Sequence, residues 1–207
     1  MNRNFLLTLG TSIIIIALLL PSGGKQRSVS GILPPVQEQA SGETAFTING
    51  YNIKLTFLYS YNIEALVVHK KNYSSHKIED KLVPVDLALA WGKVAQYNKE
   101  IDFHWSQSGR WLFWRVDSDT DLALVGGMNG IISQASNNHL IPANISVKNK
   151  IKKIKKGDHI KIKGYLVNVY ASKSAGNRWD MNSSISREDT GSGACEIIYV
   201  TDIYKIS

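Results

Sequence analysis

Apolar and polar residues alternate along several short stretches of the chain, as they do in strands that bury one face. Thr44–Ile48 and Tyr51–Tyr59 both alternate, and Asn49-Gly50 lies between them. This dipeptide strongly favours the tight turn of a two-residue hairpin. Ile63–His69 is a third strand candidate. The pattern therefore predicts a hairpin followed by another strand.

Two further regions predict strands. Ile101–Val116 is the most aromatic stretch and is interpreted as two short strands around a turn at Ser106–Gly109. Residues 157–203 predict two longer strands joined by a polar connection. Gly164, where the alternation of the first of these strands gives way to a continuous apolar run, is expected to mark a bulge or bend.

Two segments have the spacing of short helices. Pro84–Tyr97 begins with proline, which is tolerated in the first turn of a helix. The second helix is predicted to begin at Asn144 or Ser146, either of which can cap it, and to end at Gly157. Its apolar residues recur at helical spacing and define one buried face.

The remaining stretches complete a fold-class prediction. Asp117–Gly130 is predicted to be a loop, and Ile131–Pro142 a turn that leads into the second helix. The predicted fold class is α+β, mainly β: a small antiparallel barrel with two short helices, behind an N-terminal membrane segment. The lysine, glycine and aspartate before His159 resemble a turn of OB-type barrels, so an OB-like barrel is one candidate.

The N-terminus differs from the rest of the chain. Phe5–Leu20 is an uncharged, largely apolar run that follows Arg3. A transmembrane helix needs about 20 apolar residues, so the length favours an uncleaved anchor over a cleaved signal, with the domain on the periplasmic or extracytoplasmic side. The predicted parts of the chain are residues 1–24 (signal or membrane anchor), 25–43 (linker) and 44–207 (a single strand-rich domain).

The distribution of charge along the chain predicts one basic surface. The 207 residues carry a formal net charge of +7, and eight lysines fall between Lys148 and Lys163. A basic face of this kind suits anionic lipid or a protein partner, and nucleic acid is a weaker candidate. A solvated helix face without a partner is the favoured interpretation. The predicted basic face consists of Lys148, Lys152, Lys153, Lys155 and Lys156.

Cys195 is the only cysteine, so no disulfide forms within the chain. Together with His139 it has the residue types of a thiol nucleophile and its base, with Asn138 or Glu196 to orient the imidazole. No nucleophile signature surrounds Cys195, and a packed core cysteine is the favoured interpretation. These two residues are the only catalytic candidates. The spacing of the histidines and glycines predicts neither a metal site nor a cofactor.

Two polar loops combine arginine, serine, glycine and tryptophan, residue types that suit a polar or anionic ligand. We expect Arg110 and Arg187 to lie on the same side of the domain and to bind such a partner. The alternative is that each arginine only braces its own loop. The predicted binding residues are Trp105, Ser108, Arg110, Trp179, Arg187 and Asp189.

Several phrases of the sequence carry a family resemblance. They are PVDLALAWG, WSQSGRWLFWR, NNHLIPAN, KGDHIKIKGYLV and SSISREDTGSGACEIIYV. The chain resembles, over most of residues 31–203, a family of uncharacterised bacterial proteins. The resemblance implies one N-terminal hydrophobic segment, a proline-containing tether and a single strand-rich domain, and it implies no activity.

The function predicted from these observations is a membrane-tethered, non-catalytic binding or assembly domain of the bacterial cell envelope. Two alternatives stay open. One is a hydrolase with a cysteine–histidine site, and the other is a nucleic-acid-associated domain that uses the basic face.

Overall fold

The computed structural model describes residues 26–173, 176–191 and 193–206. Its strands are β1 (Val36–Gln39), β2 (Glu43–Ile48), β3 (Tyr51–Asn72), β4 (Val85–Ala90), β5 (Ser106–Ser108), β6 (Trp111–Phe113), β7 (Ala135–Pro142), β8 (His159–Ser172), β9 (Arg178–Met181) and β10 (Glu196–Lys205). Its helices are α1 (Ile78–Leu82), α2 (Gly92–Gln96), α3 (Asp119–Leu124), α4 (Gly127–Gln134) and α5 (Ile145–Lys153). The α+β, mainly β class is confirmed, with five helices in the described residues instead of two.

Eight strands form one mixed sheet, in the order β1-β3-β4-β7-β10-β8-β9, with β2 paired to β3. β3 also pairs with β8, and β5 and β6 form a separate hairpin. The prediction of an antiparallel barrel is wrong, because the sheet is mixed, and the OB-like fold that was one candidate is not confirmed. β7 and β10 run parallel, and a local turn motif before β8 does not specify how distant strands pair.

Features that depend on residues adjacent in the chain match the predictions from the sequence. β2 and β3 are joined at Asn49-Gly50, whose φ angles of 50° and 78° are those of a tight hairpin turn. Asn144 caps α5 by accepting a hydrogen bond of 3.0 Å from the Val147 amide. Gly164 lies where a Cβ would come within 2.2 Å of the Tyr199 carbonyl oxygen, so this position requires glycine.

One helix prediction and one turn prediction are wrong. The apolar run after Pro84 forms β4, a strand in which every residue is buried, and α2 begins only at Gly92. Ile131–Pro142 forms the end of α4 and then the strand β7, whose interior is also buried. A short run that is apolar on both faces fits a buried strand and a buried helix equally well, and here strand pairing decides between them.

The predicted linker belongs to the folded domain over its described part. β1 pairs with β3, and Ile32 is a buried member of the core. Further upstream, the Val29 amide donates to the Ala95 carbonyl over 3.0 Å. This segment is thus docked along its length, and the description of residues 25–43 as a free tether is corrected for residues 26–43.

The predicted anchor Phe5–Leu20 lies outside the described residues. Within the described ranges, no helix is long and apolar enough to span a membrane, and the longest is α5, with nine residues. The structure therefore does not support the prediction of a transmembrane protein.

The core consists of two apolar clusters on opposite faces of the sheet around β7 and β10. Leu140 and Ile198 belong to the larger cluster, whereas Ile141 and Ile197 belong to the smaller one. Because side chains alternate along a strand, each pair of neighbouring residues contributes to both clusters. The same alternation sorts the polar residues of these strands between the two faces.

Candidate functional site

Three polar side chains lie on one face of three adjacent strands. Asp86 of β4 is directly opposite His139 of β7 in the antiparallel register, and His139 is opposite Ile197 of β10 in the parallel register. Cys195 precedes Ile197 by two residues and so emerges on the same face. We call Asp86, His139 and Cys195 the Cys–His–Asp site.

Asp86 and His139 form a buried ion pair. Nδ1 of His139 lies 2.8 Å from Oδ1 of Asp86, although its N–H bond is poorly aligned with that oxygen. Burial by itself lowers the pKa of His139, but hydrogen bonds with Asp86 and Cys195 and the charges of both groups raise this pKa to about 9. The imidazole is therefore cationic at neutral pH.

Cys195 is half-buried and is not enclosed in the core. Its Sγ lies 3.5 Å from Nδ2 of Asn137 and 3.9 Å from the carbonyl oxygen of Arg110. With Nδ1 of His139 engaged by Asp86, Nε2 is the ring nitrogen left to exchange a proton with the thiol. The preference for a core cysteine is thus corrected, because Cys195 is half-buried and lines two clefts.

Asn137 is held by a short chain of side chains. Gln107 donates from Nε2 to Oδ1 of Asn137 over 2.5 Å, and Oε1 of Gln107 lies 2.8 Å from Nδ1 of His69. Nδ2 of Asn137 donates to the Arg110 carbonyl over 2.7 Å. Since an amide nitrogen has two protons, the second one can be directed at the space beside Sγ.

The β5–β6 hairpin carries Arg110 into this site. Gly109 and Arg110 form its two-residue turn, with φ angles of 57° and 67°. Such a conformation is uncommon for arginine, and here it turns the Arg110 carbonyl towards Asn137 and Cys195. The predicted hairpin is confirmed, with its turn shifted from Ser106–Gly109 to Gly109-Arg110.

The guanidinium of Arg110 is fully engaged inside the protein. Its nitrogens donate to Asp80 over 2.6 Å, to Asp86 over 3.0 Å and to the Val83 carbonyl over 3.0 Å. It also lies 4.0 Å from the centre of the Tyr73 ring. Arg110 therefore offsets the negative charge of Asp86 and fixes the hairpin over the site.

Two clefts meet at Cys195 and Trp111. The large cleft, about 410 Å³, extends past His139 towards Glu79 and Asp180. The small cleft, about 150 Å³, lies on the other side of Trp111. Its lining combines apolar residues, among them Leu112, Trp114 and Ile132, with polar ones such as Asn137. Cys195 thus lies where a ligand that occupied both clefts would pass.

The other face of β7 and β10 carries a closed polar cluster. Glu196 is 1% exposed and pairs with Arg187, which also donates to the Tyr61 hydroxyl over 3.2 Å. Burial raises the pKa of Glu196, and the charge of Arg187 offsets part of that rise. Asn138 lies on this face as well and donates to Leu87 and Ser136, so neither Asn138 nor Glu196 orients His139.

The remaining predicted binding residues are dispersed. Trp179 lines the large cleft and Asp189 lines the small one, where Asp189 accepts a hydrogen bond of 2.6 Å from Ser184. Ser108 is exposed at the end of β5. Trp105 packs against the core and donates to Asn98, away from both clefts. Arg187 and Arg110 each have carboxylate partners within the protein, as in the bracing alternative.

The predicted basic face lies on α5 and the turn that follows it. Lys152, Lys153 and Lys155 are exposed, while Lys148 and Lys156 are half-buried. The carbonyls at the end of α5 accept hydrogen bonds from Lys70 of β3. The suggestion that the basic face binds lipid, protein or nucleic acid stays a prediction.

Comparisons with known proteins were negative: no protein-family model matches the chain, and no curated protein or solved structure shows a significant match. Within the part of the chain that the structure describes, no group of three or more His, Cys, Asp or Glu side chains is arranged to hold a metal ion. The function is therefore argued from the geometry of the Cys–His–Asp site.

Sequence reasoning selected two members of this site and missed the others. Asp86 is a single carboxylate inside a buried apolar strand, and an isolated charge in such a run signals a specific partner. Asn137 directly precedes Asn138, which the sequence suggested as a group that orients His139. Strand alternation places Asn137, and not Asn138, on the face of His139.

Proposed function

We propose that this protein is a cysteine-dependent hydrolase that cleaves an amide or ester through a thioester intermediate. One observation carries the proposal: Asp86, His139 and Cys195 lie side by side on one face of three adjacent strands, where Sγ opens onto two clefts. A nucleophile, a base and a group that orients the base are the parts that such catalysis needs.

In the proposed reaction Cys195 attacks through its thiolate, the nucleophilic form of cysteine, with the His139 imidazolium beside it. Sγ attacks the carbonyl carbon of the substrate, and the carbonyl π electrons move to its oxygen. The tetrahedral intermediate then collapses, the bond to the leaving amine or alcohol breaks, and His139 gives that group its proton. Water next attacks the thioester, with neutral His139 accepting a proton. The products are a carboxylic acid and the original thiolate–imidazolium pair.

Asp86 and Arg110 position the base. The carboxylate of Asp86 holds Nδ1 of His139, which keeps Nε2 directed towards the nucleophile. Arg110 binds the same carboxylate oxygen and so fixes its position. These roles explain why the charged group of Asp86 is buried in a strand that is otherwise apolar.

Asn137 is suited to stabilise the oxyanion. The negative oxygen of the tetrahedral intermediate forms on the carbon bonded to Sγ, and Nδ2 of Asn137 lies 3.5 Å from Sγ. Its other proton is held by the Arg110 carbonyl, and Gln107 fixes the amide. A fixed donor aimed at developing charge is an effective catalytic element.

A second candidate is the non-catalytic binding domain predicted from the sequence, with the large cleft as its binding site. It is favoured by Trp111, which is 44% exposed, and by Trp179, since both line this cleft. Exposed tryptophans are typical of binding surfaces. The predicted envelope location is a separate proposal on which the chemistry does not depend.

The test uses the single cysteine of the chain, since all thiol reactivity comes from Cys195. Folded protein is treated with iodoacetamide at pH 7, and alkylation is followed by mass spectrometry. The same measurement in urea gives the rate of an ordinary thiol. We expect the folded protein to react at least about tenfold faster, because His139 stabilises the thiolate.

His139→Gln should reduce this rate to that of the unfolded chain, whereas His104→Gln, a matched change at an exposed histidine, should leave it unchanged. A folded protein that is alkylated no faster than the unfolded chain would contradict the hydrolase. A ligand that binds equally well to wild type and to Cys195→Ala, with no turnover, would support the binding domain instead.

A further inference from the structure

We infer that the substrate spans Cys195, with a cationic group in the large cleft and a compact apolar group in the small cleft. This inference rests on the proposed hydrolase and specifies its substrate class. It follows from the different linings of the two clefts, which share Cys195 and Trp111.

The large cleft presents net negative charge. Glu79 of α1 and Asp180 of β9 line it, and Arg110, its lining guanidinium, is neutralised by Asp80 and Asp86. Among the described residues that line the large cleft, His139 of the Cys–His–Asp site is therefore the only positive group that is not neutralised in this way. An amine or guanidinium finds carboxylates here, whereas an anion meets repulsion.

Two aromatic faces strengthen the preference for a cation. Trp111 and Trp179 both line the large cleft, and Trp111 is 44% exposed. Tryptophan is the best ring partner for a cation, and the attraction adds to that of nearby carboxylates. Neither tryptophan is needed for the proposed bond cleavage, so their place at this cleft fits a role in substrate selection.

The small cleft differs in charge, because Asp189, which accepts a hydrogen bond from Ser184, is the one charged residue in its described lining. Leu112, Trp114, Ile132 and Ala135 form an apolar part of its lining. Its volume of about 150 Å³ suits a group about the size of a benzene ring, since an engineered apolar cavity of similar volume in another protein binds benzene. A branched aliphatic or aromatic side chain fits these limits. The pair of clefts thus defines a substrate with one cationic and one apolar side, such as a peptide.

The experiment compares four methanethiosulfonate reagents that differ only in the group transferred to Cys195. They transfer trimethylammonioethyl, sulfonatoethyl, benzyl and methyl groups. Each rate in folded protein is divided by its rate in urea, which removes differences in intrinsic reactivity. We expect the cationic reagent to exceed the anionic one by about tenfold and the benzyl reagent to exceed the methyl one by about fivefold.

Two variants locate the preferences. Glu79→Gln with Asp180→Asn should abolish most of the charge preference, and Ile132→Ser should abolish the benzyl preference. The matched controls are Glu38→Gln with Asp119→Asn, and Ile145→Ser, which are exposed changes outside both clefts. Circular dichroism verifies that each variant is folded.

The outcomes separate the two proposals. Acceleration of all four reagents without either preference would overturn the substrate assignment and leave the hydrolase standing. Preferences without acceleration over the unfolded chain would overturn the hydrolase while supporting the assigned chemistry of the clefts. Preferences that persist in the cleft variants would overturn the assignment, because other residues would then cause them.

Discussion

The two faces of β7 and β10 carry polar clusters that differ in access. On the cleft face, His139 and Cys195 border open space. On the sealed face, one residue away along each strand, Asn138 and Glu196 are buried. Arg187 covers Glu196, whereas nothing in the described residues covers Sγ of Cys195 in the same way. Of two consecutive residues in one strand, one can thus be reactive and the other purely structural, because their side chains lie on opposite faces.

The comparison shows why buried charge alone does not identify a catalytic site. Both faces contain a buried carboxylate paired with a cation. Only the cleft face adds a nucleophile within reach of a substrate. The sealed face adds a tyrosine, and burial together with the charge of Glu196 raises the pKa of Tyr61. The following changes should affect one face and spare the other.

Removing the nucleophile should have the largest effect. Cys195→Ala should abolish the burst of nitrophenol that acylation of wild type by p-nitrophenyl acetate releases, because no other thiol is present. Its urea midpoint should stay close to that of wild type, since Sγ is only half-buried. A burst of normal size in Cys195→Ala would show that acylation occurs at another residue.

Opening the sealed face should reduce stability and leave the chemistry intact. Arg187→Met leaves the carboxylate of Glu196 buried and unpaired, which should cost about 3 kcal/mol of unfolding free energy in urea at pH 7. The cost should shrink as the pH falls and Glu196 takes up a proton. Arg187→Met with Glu196→Gln is the control and should recover part of the loss. A single variant as stable as wild type would contradict the structural role.

Asn137→Ala should separate acyl transfer from simple thiol reactivity. We expect acylation by p-nitrophenyl acetate to fall about 100-fold, because the oxyanion loses its donor. Alkylation by iodoacetamide, which forms no oxyanion, should change little. The matched control is Asn138→Ala on the sealed face, which should leave the acylation rate per folded molecule unchanged. Equal losses in both reactions of Asn137→Ala would instead indicate a disturbed nucleophile.

The smallest expected effect is a pH dependence of the stability that His139 on the cleft face contributes. Folding raises the pKa of His139 to about 9 from 6.5, so the stabilisation it provides is fully present below about pH 6.5 and disappears as the pH rises through about 9. The stability difference between wild type and His139→Gln, measured in urea, should fall by on the order of 2 kcal/mol from pH 6 to pH 9.5. A difference that does not vary with pH would mean that His139 is not cationic in the folded state.

The sequence alone determined the features that depend on adjacent residues. The Asn49-Gly50 turn and the cap at Asn144 both agree with the structure. Each is set by backbone sterics or by a hydrogen bond that spans a few residues. Residue types also suggested that His139 and Cys195 could act together, although the favoured interpretation of the sequence was a cysteine packed in the core.

Tertiary structure alone decided the sheet and the site. β4 carries an apolar run that both a helix and a strand can use, β7 begins with polar residues that predicted a turn, and pairing with neighbouring strands makes both of them strands. Asp86, His139 and Cys195 are each more than 50 residues from the next along the chain. No local spacing joins them, and the register of three strands brings them to one face. Long-range strand pairing depends on the packing of the whole domain, so a single sequence read locally does not specify it.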